Sequence, residues 1–168
     1  SWDVTNVTTM YGMFGDLINF TSDLSNWDVS NVTDMGNMFF GCTEFTSDLS
    51  SWNVSNVINM YGMFREASAF DSDISLWDVS NVTIMNRMFR FANSFTGDIS
   101  TWNVSNVTDM ELMFGNLSTY NPNVSSWDVS NVTNMKNMFR YCHNFNQELS
   151  SWDVSCVTDM RAKFEGAS

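Results

Sequence analysis

Apolar residues return to the same places every 25 residues along this chain. Trp2, Trp27, Trp52, Trp77, Trp102, Trp127 and Trp152 mark the period. With Trp at repeat position 2, Val stands at 4 and 7, Met at 10 and 13, and Phe at 14. A small or apolar residue follows at 17, an aromatic at 20, and Leu, Ile or Val at 24; Lys163 is the one break in the second Met position. A fixed period in the twenties is the mark of a solenoid, in which each repeat is one turn and the apolar positions stack inside.

Two shorter periods lie within each repeat. L-x-x-W-x-V, as in Leu24 to Val29, alternates and predicts a short strand at positions 2–4, with Trp and Val inward and Asp or Asn outward. Ser-Asn at positions 5 and 6 suits a helix N-cap or a turn. Val32, Met35, Met38 and Phe39 then follow at i, i+3, i+6 and i+7, a helical stripe that recurs in the other repeats. Positions 21–23 are polar and turn-like. The expected fold is an α/β repeat solenoid with one short parallel strand and one short helix per turn. Residues 1–168 read as a single array, with turns starting at 1, 26, 51, 76, 101, 126 and 151. Neither end looks like a cap, as in an excerpt of a longer array.

The stretch W-D-V-S-N-V-T-D-M-G-N-M-F-F-G-C, Trp27 to Cys42, resembles the spirochaete-type leucine-rich repeats of BspA-like bacterial surface proteins. It is more similar still to the roughly 25-residue repeat of mycoplasma-type surface lipoproteins, whose core is also W-D-V-S-N-V-T-D-M-x-x-M-F. The resemblance covers the whole chain. It implies a leucine-rich-repeat-like solenoid on a cell surface, used for adhesion, and it carries no chemistry of its own.

Charge narrows the partners. The net charge is −12, which disfavours nucleic acid and anionic membrane surfaces. No apolar run is long enough to insert in a membrane. Cys42 and Cys142 share position 17 four turns apart, about 19 Å at about 4.8 Å per turn, beyond the roughly 7 Å that a disulfide spans. They are expected as buried free thiols. Cys156 stands where other repeats have Asn. The single His, His143, neighbours Cys142, but adjacent residues seldom face each other as a catalytic dyad must. The Met positions are expected to form core rather than a metal site or peptide groove. The reading is non-enzymatic, with no cofactor.

The acids are patterned. Position 3 holds Asp3, Asp28, Asn53, Asp78, Asn103, Asp128 and Asp153. Strand alternation makes this row the candidate partner-facing ladder. Position 23 holds Asp23, Asp48, Asp73, Asp98, Asn123 and Glu148, where an Asp also caps a turn. All seven Lys and Arg fall at positions 11–15 instead. The expected function is extracellular, cell-surface adhesion or recognition of a protein or glycan. Two alternatives stand beside it: a building block of a surface layer, sheath or filament made with neighbouring copies, and a Ca²⁺-dependent acidic array. The monotony of position 3 favours a repetitive partner or a structural role.

Overall fold

The computed structural model describes residues 2–167; Ser1 and Ser168, at the ends of the array, lie outside the described residues. Each repeat closes one coil, and coil stacks on coil in register: coil 1 is 2–25, coil 2 is 26–50, coil 3 is 51–75, coil 4 is 76–100, coil 5 is 101–125, coil 6 is 126–150 and coil 7 is 151–167.

The coil is built from tight turns. In coil 4 the N–H groups of Trp77, Val82, Met88, Arg90, Ala92 and Phe95 each donate to the carbonyl three residues back. Intervening N–H groups leave the coil. Those of Met85, Arg87, Phe89 and Phe91 donate to the carbonyls of Asp109, Glu111, Met113 and Gly115 in coil 5, at 2.8–3.2 Å. At position 9 the coils meet in a one-residue parallel β-bridge, unbroken from Thr9 through Asp34, Asn59, Ile84, Asp109 and Asn134 to Asp159.

These turns overturn the expected α/β solenoid. Among the described residues there is no helix, and β pairing is confined to the position 9 bridge. Positions 2–4, expected as a strand, form no ladder; the stretch from position 7, expected as a helix, holds the bridge and the tandem turns. A leucine-rich-repeat-like arrangement with a strand and a helix per repeat is therefore not what this chain adopts. The reason lies in the backbone. Positions 12 and 16 have positive φ in all seven coils, between 50° and 71°. A right-handed helix does not pass through a left-handed residue. Nor do the position 10, 12, 14 and 16 N–H groups reach back four residues as a helix demands; where a next coil exists they bond to it. Successive four-residue turns also bring every third or fourth residue to one side, so they mimic a helical stripe.

The core occupies the apolar positions. In coils 3 to 5, positions 2, 4, 7, 10, 13, 14, 17, 20 and 24 are all buried. Phe39, Phe64, Phe89, Phe114 and Phe139 are fully enclosed and stack along the axis with ring centroids 5.5–6.2 Å apart. Within a coil, Phe64 also lies on Phe70 at 3.8 Å. Burying one such ring stabilises the fold by about 1.5–3 kcal/mol. Among the described residues no helix is long and apolar enough to cross a membrane.

Candidate recognition surfaces

The position 3 ladder is present as one exposed row: Asp3, Asp28, Asn53, Asp78, Asn103, Asp128 and Asp153. Its members also hold the chain. Each Oδ1 accepts from the backbone N–H two residues on, as Asp28 does from Ser30 at 3.0 Å and Asp153 from Ser155 at 3.0 Å. Asn53 and Asn103 accept from the Ser55 and Ser105 hydroxyls as well, both at 2.7 Å. This is the Asx-turn, a side chain standing in for a backbone acceptor at a corner. These hydrogen bonds hold the carboxyls of Asp3, Asp28, Asp78, Asp128 and Asp153 below the usual carboxylate range.

The same device recurs at two further corners. At position 23, Asp23, Asp48, Asp73 and Asp98 accept from the N–H of Ser25, Ser50, Ser75 and Ser100. At position 9, Asp34, Asn59, Asp109, Asn134 and Asp159 accept from position 11. Sequence reasoning anticipated the capping role at position 23 and overlooked it at 3 and 9. The available signal was a short acceptor residue two places before a corner, in nearly every repeat.

Other side chains tie each coil to earlier ones. The indole Nε1 of Trp52, Trp77, Trp102, Trp127 and Trp152 donates to the carbonyl 28 residues back, at position 24 two coils earlier, at 3.0–3.1 Å. Asn31, Asn56, Asn81, Asn106 and Asn131 donate from Nδ2 to the preceding position 5 carbonyl. The buried thiols of Cys42 and Cys142 donate to the Phe14 and Phe114 carbonyls, and burial raises them to about 11 and about 12. Cys156 is exposed, and all three cysteines are free. Among the described residues no three His, Cys, Asp or Glu side chains group as metal ligands.

A second surface has a different character. Positions 11, 12, 15 and 16 flank the core residues at 13 and 14. Position 11 reads Tyr, Gly, Tyr, Asn, Glu, Lys, Arg from coil 1 to coil 7, and position 16 reads Asp, Gly, Glu, Phe, Asn, Tyr, Gly. All seven cations lie at positions 11–15, as do Tyr11, Phe40 and Tyr61, with Phe91 and Tyr141 at position 16. Those five are the aromatic residues outside positions 2, 14 and 20. Guanidinium and ring pair here: Arg65 over Phe40 at 4.6 Å, Arg90 over Phe91 at 4.9 Å and Arg140 over Tyr141 at 4.8 Å. Arg87 reaches the Tyr61 hydroxyl at 3.2 Å and Glu111 at 3.5 Å.

The family described as Mycoplasma protein of unknown function, DUF285, matches residues 1–100 and again 71–168. The chain belongs to this family. The two overlapping matches together span residues 1–168. No curated protein and no solved structure matches the chain.

Proposed function

We propose that this chain is a non-enzymatic extracellular repeat protein that mediates adhesion or recognition of a protein or glycan on a surface. One observation carries the reading. An unvarying scaffold of Trp, Val, Met and Phe supports a surface at positions 11, 12, 15 and 16 that changes from coil to coil. Stacked repeats offer an extended, modular face, and binding residues sit on the turns that a rigid core positions. Kinship with mycoplasma-type surface lipoproteins belongs to the same proposal; its support is the shared W-D-V-S-N-V-T-D-M core and the family membership.

The test is attachment. Immobilised array is offered to host cells and to purified extracellular matrix, with soluble array as competitor. Saturable attachment that the soluble array displaces is the expected result. Attachment no greater than to an unrelated acidic protein of equal charge overturns the reading. A structural role with neighbouring copies is the second reading, favoured by the near-uniform Asp/Asn row at position 3. Concentration-dependent fibres or sheets in electron micrographs would support it.

A further inference from the structure

Coil 4 carries more structural cost than its neighbours, which each hold one bulky left-handed residue, Glu66 and Leu112. It is the one coil in which neither left-handed position is Gly, Asn or Asp: Arg87 has φ 61° and Phe91 φ 62°. Left-handed backbone costs a bulky residue about 1–2 kcal/mol. It is also the one coil whose position 9, Ile84, has no side-chain oxygen to cap the following turn. Among the described residues, the Nε atoms of Arg87 and Arg90 and the Oδ1 of Asn86 are buried without a hydrogen-bond partner, as is the Nε of Arg140 in coil 6. Local rules broken together in one short run are the mark of a functional site.

The charges in this run are also unbalanced. Arg65, Arg140 and Arg161 pair with Glu66, Glu165 and Asp159 at 2.6–3.1 Å, and Arg87 meets Glu111. Arg90 alone of the five arginines has no ion-pair partner among the described residues. Burial, then the charges of Arg65 and Arg87, lower its pKa. Three like charges crowd one half-buried spot on a chain of net charge −12, backed by Phe40, Tyr61 and Phe91.

We propose that Arg65, Arg87 and Arg90, with Tyr61 and Phe91, form the central contact for a protein partner that presents carboxylates among apolar side chains. This rests on the recognition reading and names the partner's chemistry. Arginine and aromatic residues are the side chains that dominate protein–protein contacts. A guanidinium laid on a ring is pre-oriented to take a carboxylate by two parallel hydrogen bonds. A dense polyanion is opposed, because the other 15 of the chain's 19 carboxylates lie outside positions 11–16 and no cation lies there with them. A partner with a few carboxylates in an apolar setting meets the positive spot without that long-range repulsion.

The full array is panned against a phage-displayed random peptide library. Enriched peptides are expected to place Asp or Glu beside Leu, Phe or Trp and to bind more weakly as salt rises. R90S is expected to lower their affinity about tenfold or more, and R65S likewise. R90K keeps the charge without the fork and falls between, while R161S, at the far end of the array, binds as the parent does. Equal denaturant midpoints show that the variants fold; if R90S does not fold, R90K against the parent is the deciding comparison. Enrichment without acidic residues, or acidic peptides held equally by R90S and R65S, or by R90K where that comparison decides, overturns the proposal. So does tighter binding of a galacturonate hexamer or of a single-stranded oligonucleotide at the same residues. Displaceable attachment of the array combined with any of these failures leaves the adhesion reading standing and removes only this partner class.

Discussion

The indole Nε1 of Trp77 donates to the backbone carbonyl of Leu49, 3.0 Å away and 28 residues earlier in the chain. The ring is buried, and the bond runs from coil 4 to coil 2, where the same carbonyl also accepts from the Trp52 backbone N–H at 3.1 Å. Trp77→Phe keeps most of the apolar area and removes one of the two hydrogen bonds to that acceptor. A loss of about 0.5–1.5 kcal/mol is expected. Urea unfolding of the variant measures it; a midpoint equal to the parent's would mean that the Trp52 N–H alone satisfies the carbonyl.

Phe89 sits between Phe64 at 5.9 Å and Phe114 at 6.2 Å, with Phe95 beside it at 4.3 Å. Phe89→Ala is expected to destabilise the array by about 3–5 kcal/mol. A smaller effect in chemical denaturation would show that the neighbouring rings collapse into the gap.

Acid should loosen the corners. The position 3 and position 23 aspartates have folded pKa values below the ordinary 3.8, and Asp159 is lowered to about 2 through Arg161. A depressed carboxyl stabilises the fold fully above its unfolded value, and that contribution fades as pH falls through the folded value. The loss is therefore expected below the ordinary 3.8 and towards about 2. The triple variant D28N, D78N and D128N keeps an Oδ1 acceptor that does not titrate. Circular dichroism against pH should show a shallower acid limb for it, with little change at pH 7. Superimposable acid curves would show that these corners do not drive acid unfolding.

Gly41 adopts φ +70°, and a Cβ there would lie 2.7 Å from Asp16 Oδ1 and 3.4 Å from the Asp16 Cα. Gly41→Ala is expected to cost more than about 1 kcal/mol in thermal or chemical unfolding. Gly15→Ala is the control, with no positive φ and its nearest contact at 3.4 Å. If the two variants unfold alike, the left-handed corner tolerates a side chain.

Thiol chemistry should separate the three cysteines. The buried Cys42 and Cys142 thiols, raised to about 11 and about 12, contain almost no thiolate at pH 8. Iodoacetamide under native conditions is expected to add one label, at Cys156, read by peptide mass spectrometry. Labelling of Cys142 at a comparable rate would reveal frequent opening between coils 5 and 6.

The period and the inward residues were legible because side-chain burial repeats with the chain. Trp102, Val104, Met110 and Phe114 are recognisable as core from spacing alone. What the spacing could not distinguish was the path between them. Met110, Met113, Phe114 and Leu117 fit a helical face and a run of tight turns equally well. The discriminating residues were not apolar. Gly12, Asn37, Gly62 and Asn137, with Gly41, Asn116 and Gly166, are residue types that tolerate left-handed backbone, placed where a helix interior would have to run. The outward row at position 3 was legible from alternation with Trp and Val. Its role in closing corners was not, because an Asp in an extended segment and an Asp starting a turn look alike until the acceptor's partner is seen. The crowding of Arg65, Arg87 and Arg90 needs coil-to-coil geometry that the linear sequence does not display.

The bonds between coils also set how the molecule would bear load. Each coil is fastened to the next by a row of backbone bonds between positions 8 and 19 and by side-chain bonds such as that from Asn106 to the Ser80 carbonyl. A tether pulling at one end peels the outermost seam before it disturbs the next. Freeing one coil of 25 residues pays out about 80–90 Å of extended chain. Six similar seams in series between seven coils are expected to give way one at a time under tension, so that the array acts as a rope paid out in steps.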